Sequence, residues 1–173
     1  MRILVAGVGN VLLGDDAFGV EVARALAERE LPSCVRVHDF GLRMMDLAHA
    51  LHAPLDAAIV VDVARRGGPP GSLYIIEPEA PPDPADEELA EVFSPHVIDP
   101  ASVMEWAERM SRTCCRRVLL LCCEPKSLAI DPREQGRMGL SDAVLAAVPR
   151  AVQRIEGMVR ELLEAHGAAA QVE

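Results

Sequence analysis

Two aspartates and one histidine are the side chains of this sequence best placed to do chemistry together. Asp16 follows a glycine-rich turn after the first strand-like run, and Asp62 closes a buried apolar run. His96 lies in a loop just before a helical pattern. Two carboxylates and one imidazole suit a divalent metal with open coordination positions. Catalysis, or recognition of a metal that a partner already holds, needs such an open position.

Strand-like and helical runs alternate along the chain, which predicts an α/β fold. We expect three layers, with a mostly parallel twisted sheet of about five strands and helices on both faces. The predicted strands are 2–6, 35–38, 57–63, 72–76 and 117–123, and the predicted helices are 16–30, 42–51, 100–110 and 141–166. Because parallel strands end at one sheet edge, Asp16, Asp62 and His96 would share that edge.

Three further features concern the connections between these elements. The turn 65–71 joins neighbouring strand patterns, which favours a hairpin and one antiparallel strand. Pro149 lies inside the last helical pattern and is expected to kink or split it. A proline-rich acidic stretch predicts a mobile surface loop at about 77–95. We interpret residues 1–173 as one domain.

Composition excludes several classes of function. The 173 residues carry a formal net charge of −10, which argues against nucleic-acid binding. No apolar stretch is long enough to cross a bilayer, and the amino terminus lacks a signal-peptide layout, so a cytoplasmic protein is expected. The five cysteines, which include the vicinal pairs Cys114-Cys115 and Cys122-Cys123, are interpreted as reduced thiols, and the vicinal ones as core thiols.

Each candidate residue also has a purely structural interpretation, and the sequence leaves the choice open. Asp16 could cap the first helix, although Asp15 is better placed to do so. Asp62 could cap the turn 65–71 or pair with one of its two arginines. His96 could be a solvated loop side chain.

A dinucleotide site is an alternative for the glycine loop. The pattern Gly7-x-Gly9-x-x-Leu12 has leucine where the fingerprint has a third glycine, and Asp39 could be a ribose-binding acid. However, the acidic pair Asp15-Asp16 at the helix start would repel a pyrophosphate.

The serines show no arrangement typical of a nucleophilic hydrolase.

The opening motif Gly7-Val-Gly-Asn-Val-Leu-Leu-Gly-Asp-Asp-Ala-Phe-Gly-Val20 resembles that of the endopeptidases that mature nickel-iron hydrogenases. The resemblance continues through Val-Val-Asp62, the Gly-Gly-Pro-Pro-Gly-Ser-Leu turn, Ser94-Pro-His96, Cys123-Glu-Pro-Lys-Ser-Leu128 and Met138-Gly-Leu-Ser141. It covers most of the chain, and its first block is the most specific.

This resemblance implies a twisted central sheet and an aspartic-type peptidase. Such an enzyme trims the carboxyl-terminal extension of a hydrogenase large-subunit precursor after nickel insertion. It also implies that Asp16, Asp62 and His96 contact the nickel. The nickel is carried by the substrate, other divalent metals can substitute for it, and no nickel cofactor of the protease is implied.

One departure concerns the segment after the second strand. Many members carry Asp-Gly-Gly-Thr there, whereas this chain has Asp39-Phe-Gly-Leu42, which favours a divergent hydrogenase as substrate. We therefore expect an endopeptidase acting on a nickel-loaded precursor. The alternatives are a metal-sensing assembly chaperone that binds the precursor without cutting it and, less favoured, a nucleotide-binding protein.

Overall fold

Five strands, four α-helices and one 3-10 turn form the part of the chain that the computed structural model describes, residues 1–77, 115–128 and 138–169. The strands are β1 (Ile3–Val8), β2 (Val35–Gly41), β3 (Ala57–Val63), β4 (Leu73–Ile76) and β5 (Val118–Cys123). The 3-10 turn spans Gly14–Ala17, and the helices are α1 (Phe18–Ala27), α2 (Met44–Leu51), α3 (Asp142–Leu145) and α4 (Val148–Ala169). None of the helices in these ranges is both long and apolar enough to cross a membrane.

The strands form one sheet in the order β2-β1-β3-β5-β4. The pairs β1–β2, β1–β3 and β3–β5 are parallel, and β4 runs antiparallel to β5. Central strands of such a sheet are covered on both faces, which explains why β1 and β5 read as continuous apolar runs. The predicted α/β class and the mostly parallel sheet are confirmed.

Each face of the sheet packs against its own layer of helices. On one face, side chains of α1 and α4 such as Phe18 and Ile155 pack against Val5 and Ile59. On the other face, side chains of α2 such as Leu47 contact the remaining strand residues. Alternate residues of β1 and β3 therefore enter different cores, as the two-residue period of a strand requires. The expected three layers are present.

The predicted hairpin between β3 and β4 is wrong, although the single antiparallel strand is correct. β5 lies between them, and β4 pairs with β5. The buried strand β5 occupies the inner position beside β3, so β4 lies at the edge of the sheet. The connection after β3 crosses the end of β5. There Gly71 donates a backbone hydrogen bond to Glu124 (2.8 Å) and Glu124 donates one to Ser72 (2.8 Å).

The last helical pattern divides into α3 and α4, as Pro149 indicated. Pro149 is the second residue of α4, where the missing N–H costs no intrahelical hydrogen bond. The helix predicted at 100–110, and nearly all of the loop predicted at 77–95, lie outside the described residues.

Candidate active site

The glycine loop after β1 brings Asp16 back to the end of the strand from which it departs. Gly9 has a φ of +131°, and a Cβ built on it would lie 1.8 Å from the carbonyl oxygen of Asp16. A side chain at this position would therefore be strained and would also displace the 3-10 turn. The loop is a close approach of two backbones, and only glycine fits it.

A second close approach seats α1 on the carboxyl ends of the two central strands. A Cβ on Gly19 would lie 2.1 Å from the carbonyl oxygen of Val61 and 2.3 Å from that of Val8. The preceding 3-10 turn also contacts β3. Asp16, on the turn that follows β1, and Asp62, near the end of the neighbouring strand β3, thus lie at the same edge of the sheet.

Asp16 is a half-buried carboxylate with one donor among the described residues. The backbone N–H of Asn10 donates to its Oδ2 at 2.7 Å. Burial raises the pKa of Asp16 above its usual 3.8, and the hydrogen bond from Asn10 opposes that rise. The helix-cap interpretation is wrong, because Ala17 and not Asp16 is the N-cap of α1, and the hydrogen bond of Asp16 comes from Asn10 in the preceding loop.

Asp15 is not a helix cap of its own segment either. Its carboxylate is almost fully buried and accepts hydrogen bonds from the backbone N–H groups of Lys126, Ser127 and Ser141. The two adjacent aspartates therefore differ: Asp15 accepts hydrogen bonds from distant parts of the chain, whereas Asp16 has one donor within the ranges that the structure describes.

Asp62 is buried, with 8% of its surface exposed, and its Oδ1 accepts a hydrogen bond from the backbone N–H of Val63 at 2.7 Å. In the sheet it lies beside Cys122 of β5. In the turn 65–71, the amides of residues 66–68 donate to a different carboxylate.

That carboxylate is Glu124, which the sequence reasoning did not single out as a site residue. It accepts hydrogen bonds from the N–H groups of Arg66 (2.9 Å), Gly67 (3.3 Å) and Gly68 (3.2 Å), and from the Tyr74 hydroxyl (3.1 Å). Burial raises the pKa of Glu124, but these donors outweigh it and hold the pKa below 4.5. The sequence signal that could have identified Glu124 is an acidic residue directly after a buried strand.

His96 lies outside the described residues, so its predicted place beside the two aspartates stays a prediction. Within 1–77, 115–128 and 138–169, no three His, Cys, Asp or Glu side chains lie close enough together to hold a metal ion. The two aspartates would form such a site only with a further ligand.

The geometry of the loop argues against the nucleotide alternative. A pyrophosphate at a glycine loop is bound by free backbone N–H groups. Here the N–H of Asn10 is taken by Asp16, and the N–H of Leu12 is taken by the Asn10 side chain at 3.0 Å. Asp39, the candidate ribose ligand, is paired with Arg24 (Nε to Oδ2, 3.8 Å).

The vicinal thiols of β5 belong to the core, as predicted. Cys122 and Cys123 are both buried and pack into the cores on opposite faces of the sheet. Burial raises the pKa of Cys123 to about 12, so this thiol is not a nucleophile at neutral pH.

Comparison with known proteins decides the family. The sequence model of the hydrogenase maturation proteases matches residues 20–158 of this chain. The chain belongs to the hydrogenase maturation protease family. It is therefore a peptidase of hydrogenase maturation, which agrees with the resemblance of its opening motif.

Individual relatives match this chain over almost its whole length. The hydrogenase 2 maturation protease of Escherichia coli is 32% identical over 167 residues, which cover 93% of this chain and 92% of the relative. The coenzyme F420 hydrogenase subunit delta of Methanothermobacter thermautotrophicus is 34% identical over 159 residues, covering 89% and 92%.

Solved structures agree with this assignment. The hydrogenase maturating endopeptidase HybD of Escherichia coli superposes with a TM-score of 0.68 at 30% identity and covers 93% of both chains. A hydrogenase 2 maturation peptidase from a thaumarchaeon gives 0.66 at 27% identity, covering 92% of this chain and 98% of its own. This hydrogenase maturation protease thus shares both sequence and fold with its relatives.

Proposed function

We propose that this protease removes the carboxyl-terminal extension of a nickel-loaded nickel-iron hydrogenase large-subunit precursor. Asp16, Asp62 and His96 contact the nickel that the precursor carries, so the metal is part of the substrate. Divalent ions of similar size can replace it. The family membership supports the peptidase activity, and the placing of two acids at one sheet edge supports the nickel contact.

The free acceptor capacity of Asp16 is the observation that carries the proposal. Among the described residues only Asn10 donates to this carboxylate, although it is half-buried and its pKa is raised. A buried carboxylate without enough donors is stabilised by a nearby cation, which favours its charged form. Asp15, one residue earlier, has no such capacity left.

The same contacts would direct the cleavage. Holding the nickel at the sheet edge fixes the nearby scissile peptide bond relative to Asp16 and Asp62, which replaces a costly bimolecular encounter by a positioned one. A water molecule, polarised by the nickel or by one of the two carboxylates, attacks the amide carbonyl. The bond to nitrogen breaks, giving a new carboxylate and a free amine.

A nickel titration tests the site. Binding of Ni²⁺ is measured by calorimetry for the wild type and for Asp16→Asn, Asp62→Asn and His96→Ala. Asp46→Asn is the control, because Asp46 is an exposed acid on α2. We expect each site substitution to weaken binding by about tenfold or more and Asp46→Asn to leave it unchanged. Equal binding by all five proteins would contradict a three-residue site.

Precursor binding distinguishes the protease from a chaperone. A protease releases the extension peptide from the nickel-loaded precursor, which mass spectrometry detects. Tight binding of the precursor with no peptide released, and loss of that binding in Asp62→Asn, would instead support the assembly chaperone.

A further inference from the structure

One buried carboxylate holds three segments together beside Asp16. Asp15 is 1% exposed, and its Oδ2 accepts hydrogen bonds from the N–H groups of Lys126 (2.7 Å) and Ser127 (3.0 Å) and from the Ser141 hydroxyl (3.0 Å). Its Oδ1 accepts a further bond from the Ser141 N–H at 2.6 Å. Both oxygens are therefore engaged.

These partners belong to distant elements of the fold. Lys126 and Ser127 follow β5, and Ser141 immediately precedes α3. The backbone adds one more link, because the N–H of Asp15 donates to the carbonyl of Ser127 at 3.2 Å. The 3-10 turn after the glycine loop is thereby fixed to the end of β5 and to the start of α3.

The contacts of Asp15 depend on its negative charge. Within the described ranges, its hydrogen-bond partners are backbone N–H groups and one hydroxyl, and none is a lysine or arginine side chain. Hydrogen bonds to an ionised acceptor are shorter and stronger than those between neutral groups. An amide in its place would direct an NH₂ group at N–H donors and leave some of them without an acceptor.

The orientation of Asp16 follows from that of Asp15. In a 3-10 turn with three residues per turn, neighbouring side chains point about 120° apart. Asp15 points toward Ser141 and Lys126, while Asp16 points toward Asn10 in the glycine loop. A rotation of the turn about the Asp15 contacts would carry the Asp16 carboxylate away from the Asn10 N–H.

We propose that Asp15 is a positioning residue of this protease, which holds the Asp16 carboxylate in the orientation that meets the substrate nickel. This inference rests on the proposed role of Asp16. Asp15 itself stays buried in the protein and touches neither the nickel nor the scissile bond.

The test compares Asp15→Asn, Ser141→Ala and Asp16→Asn with the wild type, and Asp142→Asn is the control because it changes a neighbouring exposed acid. Cleavage of the nickel-loaded precursor gives kcat and KM at a temperature at which every variant is folded. The amide proton resonance of Asn10 reports its hydrogen bond to Asp16. A residue that only stabilises the fold would change Tm and leave this resonance and kcat as they are.

We expect Asp15→Asn to lower kcat by about tenfold to a hundredfold and to shift the Asn10 resonance upfield. Ser141→Ala keeps the Ser141 N–H and should show the same changes to a smaller extent. Wild-type kcat and an unshifted Asn10 resonance in Asp15→Asn would overturn the inference. If Asp15→Asn does not fold, the same result in Ser141→Ala would overturn it.

Asp16→Asn separates this inference from the proposed function. Wild-type cleavage by Asp16→Asn would overturn the proposed nickel contact of Asp16, on which this inference rests. An inactive Asp16→Asn together with a fully active Asp15→Asn would overturn only the positioning role.

Discussion

The backbone N–H of Asn10 donates a 2.7 Å hydrogen bond to the carboxylate of Asp16 six residues later. This hydrogen bond links Asn10 in the glycine loop to Asp16, the acid that follows the loop at the sheet edge. It also opposes the effect of burial, which raises the pKa of Asp16. The loop thus supplies one donor that favours the charged form of a half-buried carboxylate.

The first prediction concerns the effect of the half-buried Asp16 carboxylate on thermal stability. Because the pKa of Asp16 is raised in the folded state, its contribution to stability is full below 3.8 and is lost as the pH rises through the folded pKa. Asp16→Asn removes the charge and keeps an acceptor for Asn10. We expect its Tm at pH 7 to exceed that of the wild type by about 1–2 °C, since the site is partly solvated.

Calorimetry between pH 4 and 7 checks this result. The advantage of Asp16→Asn should shrink as the pH falls toward 3.8, while precursor cleavage is lost at every pH. A variant less stable than the wild type at pH 7 would contradict the account of the buried charge.

The second prediction concerns Gly9. Gly9→Ala places a methyl group 1.8 Å from the Asp16 carbonyl oxygen and requires a positive φ. We expect a loss of about 1–3 kcal/mol in the free energy of unfolding and loss of cleavage at temperatures where the variant is folded. Urea unfolding and the cleavage assay measure the two effects.

Gly157→Ala is the matched control for Gly9→Ala. A Cβ on Gly157 of α4 meets only the ends of arginine side chains, at 3.6 and 3.9 Å. It should stabilise the protein by about 0.5–1 kcal/mol, because alanine favours helix interiors. Similar effects of the two substitutions would contradict the close approach at Gly9.

The third prediction concerns Glu124. Its folded pKa lies below 4.5, so its contribution to stability is present above 4.5 and is lost as the pH falls through the folded pKa. Glu124→Gln should lower Tm at pH 7, and the difference should narrow as the pH falls below 4.5. Glu77→Gln, which removes an exposed pair with Arg117 (2.7 Å), should change Tm less. A constant difference at all pH values would argue against a charged Glu124.

The fourth prediction concerns the thiols. With its pKa raised to about 12, Cys123 should not react with iodoacetamide at pH 8, whereas the partly exposed Cys34 should react. Peptide mass mapping identifies the alkylated cysteine. Cleavage activity should survive the treatment. Rapid alkylation of Cys123 in the folded protein would contradict the burial of this thiol in β5.

The sequence predicts the fold well because the relevant signals are local. Apolar runs of β1, β3 and β5 mark buried strands, and the 3.6-residue period marks α1. The place of β4 was not predictable in this way. A turn rich in glycine and proline fits a hairpin equally well, and only the pairing of β4 with the distant β5 decides its position.

The residue types of the candidate site can be predicted from the sequence. Which acid faces the site and which is buried among hydrogen-bond donors cannot. A pair such as Asp15-Asp16 has no local feature that tells which acid is buried among donors. That distinction depends on Lys126 and Ser141, more than a hundred residues away. Glu124 was overlooked for the same reason, since its partners in the turn after β3 lie 56–58 residues earlier.

We propose that the protease recognises nickel in its substrate through Asp16 and Asp62. The most direct measurement mixes the protein with nickel-loaded and with nickel-free large-subunit precursor and follows the released carboxyl-terminal peptide by mass spectrometry. We predict release from the nickel-loaded form only, and its loss in Asp16→Asn and Asp62→Asn. Equal cleavage of the two precursor forms would contradict the claim.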